Sequence, residues 1–156
     1  MSIESVKAYL AKFDLADRVI EFDASSATVA PAAADLGCAP ARIAQTMAFV
    51  VARHAVLVVI AGDGKVDNPR FKAAFHTKAA MVRPDQLVEQ VGHPMGGVCP
   101  FAIRDDVPVY LDESLKRFDV VYPAAGTASS AVRLTVPELE RSVQNFAGWV
   151  DIAKGW

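Results

Sequence analysis

A mixed α/β or α+β fold is the class that this sequence predicts, on three observations. Segments with helical three- and four-residue spacing alternate with short β-branched runs along the chain. Two of those runs, Ile43 to Val51 and Ala55 to Ile60, are separated only by Ala52-Arg53-His54 and read as paired antiparallel strands at the centre of a sheet. Over 156 residues, 53% are hydrophobic and 22% charged, which supplies one continuous core and excludes wholesale disorder. No repeat, low-complexity tract or linker divides the chain, so residues 1–156 are expected to form a single compact domain.

The elements follow in order. Ile3, Val6, Tyr9, Leu10 and Phe13 recur at helical steps, predicting an amphipathic helix over 3–13 with Ser2 as its N-cap. Arg18 to Phe22 reads as a short strand. Thr28 can cap a second helix, with Pro31 in its first turn and Gly37 as its C-terminal stop. After the central strand pair, Ala61-Gly62-Asp63-Gly64 is a turn, and Asn68-Pro69 reads as a cap and first-position proline opening a helix with Phe71 and Phe75. Pro84 through Val91 is a further short helix stopped by Gly92. Strands are expected at Val107–Leu111, Asp119–Tyr122 and Ala131–Leu134. Thr135-Val136-Pro137-Glu138 has the spacing of a capping box, opening a final helix over Val136–Val143.

Charge and composition exclude several function classes. With 16 Lys plus Arg against 18 Asp plus Glu, the net charge is −2, so the chain is no constitutively basic nucleic-acid wrapper. DNA is not an expected partner, and any RNA contact uses a local patch. The longest apolar run, Ala55 to Ala61, falls far short of the ~20 residues needed to span a bilayer. The N-terminus carries Glu4, Lys7 and Lys12 and has no apolar signal core. Cys38 and Cys99 are too few for a disulfide framework, and a soluble cytoplasmic protein is expected.

Recognisable catalytic signatures are missing. There is no G-x-S-x-G elbow, no H-E-x-x-H and no Walker loop, since Gly62-Asp63-Gly64-Lys65 lacks both the spacing and a following Ser or Thr. Histidines at 54, 76 and 93 have no paired spacing, so a zinc site is not expected; no cofactor is expected either. Cys99, beside Pro100, reads either as a nucleophile in need of a cationic neighbour or as a small half-buried loop residue. The segment Gly92-His93-Pro94-Met95-Gly96-Gly97-Val98-Cys99-Pro100-Phe101 stands apart. Adjacent glycines can turn main-chain N–H groups toward a ligand, and Pro94 and Pro100 stiffen them, an arrangement that suits an oxyanion or a carbonyl oxygen. An ordinary surface connection is the competing reading.

The run Ala-x-x-Leu-Gly-Cys at 33–38 and then Ile43-Ala44-Gln45-Thr46-Met47-Ala48-Phe49 resemble the YbaK/ProX family, freestanding relatives of the editing domain inserted in bacterial prolyl-tRNA synthetases. The likeness continues through Ala61-Gly62-Asp63, through Gly92 to Phe101, where Gly96-Gly97-Val98-Cys99-Pro100 matches the family's G-x-x-x-P loop, and through Val109-Tyr110-Leu111-Asp112, Ala125-Gly126 and Val132-Arg133-Leu134. It spans about residues 20 to 143. The resemblance implies a central, mostly antiparallel mixed sheet flanked by helices. It also implies hydrolysis of the ester of a mischarged aminoacyl-tRNA, carrying a small or medium amino acid, with proline tRNA as the implied substrate. Such editing exists because a small apolar pocket cannot reject every near-isostere during charging. Partners implied are the tRNA acceptor end and, beside it, an aminoacyl-tRNA synthetase. Catalysis in this family relies on positioning, glycine-loop donors and a hydroxyl of the tRNA itself, which agrees with the missing triad and metal.

Carried onto this sequence, the resemblance makes Gln45, Gly96, Gly97 and Pro100 the catalytic set. Thr46, Met47, His93, Val98, Cys99, Phe101, Asp112, Ser129 and Ser130 become the substrate-binding set. One of Thr46 and Met47 is expected to face the pocket and the other the core. Asp112 also reads as an N-cap, the two serines as surface-loop residues, and His93 as a phosphate contact or a loop tip. One position departs from the family, whose strand motif usually has lysine where this chain has Gln45. A charge-assisted hydrogen bond contributes ~1.5–3 kcal/mol against ~0.5–1.5 for a neutral amide, so the loss is on the order of tenfold. Three accounts remain: a slower or differently specific deacylase, rescue by Lys65, Lys72 or Lys78, and a non-catalytic relative that binds tRNA ends or nucleotides. The complete glycine loop favours the first. Gln45 as a strand-edge amide with no catalytic task is the plain alternative. Basic residues for a tRNA backbone are scattered: Arg42, Arg53, Lys65, Arg70, Lys72, Lys78 and Arg83.

Overall fold

The computed structural model describes residues 3–22, 33, 34 and 36–156. The expected caps at Ser2 and Thr28, and Pro31, lie outside them. Helix α1 (Ile3–Ala11) buries Val6 and Leu10 completely and stops short of Phe13, where Asp14 takes a left-handed φ of 59°. A 3-10 turn leads into β1 (Val19–Glu21), which pairs antiparallel with β7 (Ser130–Val132). Gly37 does terminate a helical turn. At φ 69° it donates to Ala34, and Cys38 donates to Ala33, the two bonds of a Schellman stop.

β2 (Ile43–Val51) and β3 (His54–Ala61) form the expected hairpin, joined by Ala52 and Arg53 at φ 51° and 68°. β3 is the middle of the main sheet, and its side chains alternate between two cores. Ala55, Leu57, Val59 and Ala61 join the larger cluster, while Val56, Val58 and Ile60 join the smaller one around Phe49, Phe71 and Ile152. Burial on both faces explains why its apolar run has no polar alternation.

With β5 (Val109–Asp112), β6 (Val120–Pro123), β8 (Leu134–Thr135) and β9 (Phe146–Val150), the six-stranded sheet has the order β8-β6-β2-β3-β5-β9. Inside it three of five ladders are parallel, a smaller antiparallel share than expected. Over all seven ladders among the described residues antiparallel pairing leads by four to three. Together with its flanking helices this is the mixed α+β architecture expected.

Three local readings need correction. Asp67, not Asn68, caps α2 (Asn68–Phe75), accepting from the Arg70 N–H, so Pro69 is the second helical residue. The segment at 84–91 is a 3-10 turn followed by the four-residue α3 (Leu87–Gln90). The strand expected at 131–134 is broken by exposed Arg133 into β7 and β8, which pair with different partners. Thr135 does carry a full capping box on α4 (Val136–Ser142), with both reciprocal bonds to Glu138 present. Two short strands, β4 (Lys65–Val66) and β10 (Ala153–Lys154), form a separate pair. Among the described residues no helix is long and apolar enough to cross a membrane.

Candidate functional site

The site begins with an interruption in strand pairing. β6 pairs with β2 only at Ile43 and Ala44, and the next contact on that edge is a bridge from Phe49 to Met81. Beyond the gap, Val50 donates to the Ala80 carbonyl and Ala48 accepts from Val82. Backbone groups alternate sides along a strand, so Thr46 turns its N–H and C=O the same way, toward the gap. Thr46 also shares a sheet face with Ala44 and Ala48, and its hydroxyl oxygen is buried with no hydrogen-bond partner among the described residues.

A cleft of about 490 Å³ opens there. One wall is β2 from Ile43 to Ala48, and a second comes from Met81, Val82, Pro84 and Leu87. The glycine loop supplies Met95, Gly96 and Val98, and a third wall includes Tyr122, Ala124, Thr127 and Ser130. Thr127 donates its hydroxyl to Ser130 at 2.7 Å, which places a paired hydroxyl group in this wall. Among the described residues no charged side chain lines the cleft. Such a cavity accepts an uncharged group and offers main-chain and hydroxyl contacts rather than acid–base side chains.

Of the residues singled out from sequence, Gln45, Thr46, Met47, Gly96, Val98 and Ser130 line this one cleft, and Thr46 and Met47 both do so. Gly96 sits at φ 89°, where a β-carbon would be strained. The others are elsewhere. Gly97 is not a free donor: its N–H bonds the Pro94 carbonyl at 3.0 Å, and its α-carbon packs against the Gly126–Thr127 backbone. Pro100 is buried and uses its carbonyl to hold Gln144. Phe101 is core, fully buried against Tyr9. Ser129 accepts from Phe22 through its carbonyl and does not line the cleft.

His93 cannot meet phosphates, because it is fully buried. Its Nε2 lies 2.6 Å from the Phe101 carbonyl, which makes Nε2–H the donor and leaves Nδ1 unprotonated and without a partner among the described residues. Burial holds the imidazole below its usual titration range. Cys99 is equally buried, 3.4 Å from His93, and desolvation pushes its thiol up to about 12, so it is no thiolate nucleophile at neutral pH. His93, Cys99 and Phe101 together close the base of the loop that carries Gly96.

Asp112 is a structural clamp. Its two carboxylate oxygens accept from Ser114 and Ile152 N–H groups, and none of the three residues lines the cleft. Gln45 likewise commits both amide hydrogens, to the carbonyls of Ala61 at 3.1 Å and Gly64 at 3.0 Å. It therefore fastens β2 to the turn after β3 and has no hydrogen to spare for a substrate. Lys65, Lys72 and Lys78 do not line the cleft, so none replaces the missing lysine there. Met81, Leu87, Tyr122 and Thr127 carried no local sign of their place in the site; only Gly126 beside Thr127 marked a turn.

A family model described as "Aminoacyl-tRNA editing domain" matches residues 23–142. The chain is 43% identical over 158 residues to "Uncharacterized protein YwhH" of Bacillus subtilis, covering 100% of this chain and 99% of that protein. It is 28% identical over 115 residues to "Putative Cys-tRNA(Pro)/Cys-tRNA(Cys) deacylase EbsC" of Enterococcus faecalis, covering 72% and 70% of the two chains. A crystal structure of "a putative trans-editing enzyme for prolyl tRNA synthetase" superposes with a TM-score of 0.86 at 26% identity, covering 99% of each chain.

Proposed function

This chain belongs to the aminoacyl-tRNA editing domain family, and from that premise we propose that it is a trans-acting deacylase, cleaving the ester of a small or medium uncharged amino acid misattached to tRNA, with proline tRNA as the carrier. It acts in the cytoplasm, on the acceptor end, with or without a synthetase alongside. The observation that carries the reading is the cleft at the break in β2 pairing, uncharged among the described residues and lined by Gly96 and by Thr46, whose hydroxyl has no partner among them.

The aminoacyl group enters the cleft and Thr46 contacts its polar atoms through the hydroxyl and the strand-edge amide. A water oxygen attacks the ester carbonyl carbon, and the resulting oxyanion is met by main-chain N–H groups, that of Gly96 foremost. The bond from the carbonyl carbon to the ribose oxygen breaks. The proton released by the water passes through the neighbouring ribose hydroxyl to the leaving oxygen, giving free amino acid and intact tRNA. No protein acid or base is required, in keeping with a lining that has none among the described residues.

A panel of mischarged tRNAs tests this: hydrolysis well above the buffer rate for at least one uncharged amino acid is expected. If none is hydrolysed while tRNA still binds, the protein is a binder of tRNA ends, a reading that the committed amide of Gln45 favours. Thr46→Val tests the cleft itself. It keeps the shape and removes a hydroxyl worth about 1 kcal/mol to a bound substrate, so kcat/KM falls about five- to tenfold. Because that hydroxyl is unsatisfied in the free protein, thermal stability stays level or rises. Activity and stability falling together would remove Thr46 from the site.

A further inference from the structure

Ion pairing sorts the basic residues into two groups. Arg42 is held by Asp119 at 2.7 Å, Arg70 by Asp67 and Asp151, and Arg83 by Asp85. Among the described residues Arg53, Lys65, Lys72 and Lys78 have no carboxylate partner. Two of these four, Lys72 on α2 and Lys78 just beyond it, share one open hollow of about 530 Å³ with Asn68, Pro69 and Ala79. Both lysines are exposed, and among the described residues no acidic side chain lines the hollow.

The hollow lies next to the cleft along one stretch of chain. Residues 80–82 run antiparallel beside β2, held by the Val50–Ala80 and Ala48–Val82 bonds. Ala79 rims the hollow and Met81, 57% exposed, rims the cleft. Two residues of extended chain span about 7 Å, the reach of a single nucleotide. Among the described residues the cleft itself carries no charge, and the chain as a whole is net negative at −2. The two ammonium groups lining the neighbouring hollow, with no carboxylate partner among the described residues, are therefore a local positive field that a polyanion would meet on approach.

We propose that the Lys72–Lys78 hollow is a second binding site, holding backbone phosphates of the single-stranded RNA whose 3′ end enters the cleft. Each lysine acts as a point-charge phosphate ligand, with the Asn68 amide as a neutral donor in the same hollow. The cleft places the terminal nucleoside and the hollow takes the phosphates that precede it. This inference rests on the acceptor-end reading of the cleft but not on its being catalytic.

The test compares wild type with the Lys72→Ala/Lys78→Ala and Lys72→Arg/Lys78→Arg double variants. Binding of an uncharged RNA oligonucleotide ending in CCA is followed by fluorescence anisotropy at several salt concentrations. Kd for the alanine variant is expected to rise about fivefold or more at low salt, and its salt slope to flatten by about 1.4, with the arginine variant close to wild type. With an aminoacyl-tRNA that the wild type hydrolyses, KM rises and kcat stays level, while hydrolysis of the corresponding aminoacyl-adenosine, which lacks those phosphates, is unchanged. An unchanged Kd and salt slope would overturn the proposal, as would an equal loss on aminoacyl-adenosine or a loss that arginine does not restore. A wild type that hydrolyses nothing but binds the oligonucleotide through these lysines would sink the deacylase reading and leave this site standing.

Discussion

Gly97→Ala is expected to cripple the protein, with kcat/KM lowered about a hundredfold and stability lowered by about 1–3 kcal/mol. Gly97 has no unusual φ, so alanine's backbone preferences are not the obstacle. The obstacle is contact: a β-carbon there would lie 2.4 Å from the Gly126 carbonyl oxygen and 2.6 Å from its carbon. Both are main-chain atoms, which cannot rotate away as a side chain would. The glycine loop must lift from the turn at 125–127, moving Gly96 and opening the cleft between Met95 and Thr127. A displacement of about 1 Å at a positioning site is enough for the rate loss. Thermal unfolding and single-turnover deacylation read the two effects. A variant with wild-type melting and turnover would show that the loop is not held by this contact and does not organise the cleft.

Asp112→Ala is expected to be the most destabilising single change considered, at about 3–5 kcal/mol, without altering turnover per folded molecule. The carboxylate is fully buried and holds two separate stretches of chain. Oδ2 accepts from Ser114 at 2.9 Å, capping the 3-10 turn after β5, and Oδ1 accepts from Ile152 at 2.8 Å, fixing the segment between β9 and β10. Alanine leaves two buried N–H groups with nothing to bond, each costing about 1–3 kcal/mol. The Ser114 bond is also the cap of the 3-10 turn, so its loss is counted once. Asp112→Asn retains one acceptor oxygen and is expected to lose about half as much. Chemical denaturation measures the stability, and activity is assayed at low temperature where the variant is folded. Intact stability with lost activity would return Asp112 to the substrate-binding role that the family likeness implied.

These two residues show how sequence and structure divided the information. The likeness to the editing family placed both Gly97 and Asp112 at the substrate, whereas their contacts are internal. Gly97 is a glycine for lack of room and Asp112 is a cap joined to a second, distant donor. Cys99, His93 and Phe101 follow the same pattern. A loop rich in Gly and Pro announces a tight backbone, but sequence does not say which of its side chains turn inward to hold it. Gln45 is the sharpest case. Its place at a family lysine position reads as a weakened catalytic donor, until the carbonyls of Ala61 and Gly64, 16 and 19 residues away, are seen to take both its hydrogens.

What the linear chain specified was local: the hairpin pairing of β2 and β3, the doubly buried apolar strand, the Gly37 stop and the Thr135–Glu138 capping box. Each depends on side-chain periodicity or on a bond spanning a few residues, and such signals survive in the order of amino acids. The parallel ladders, the split at Arg133 and the β9 strand depend on partners dozens of positions away, which no local pattern encodes. The cleft is of this second kind. It exists because β6 leaves β2 after Ala44 and the bridge at Met81 begins only at Phe49, and the space between two long-range contacts is decided by folding alone.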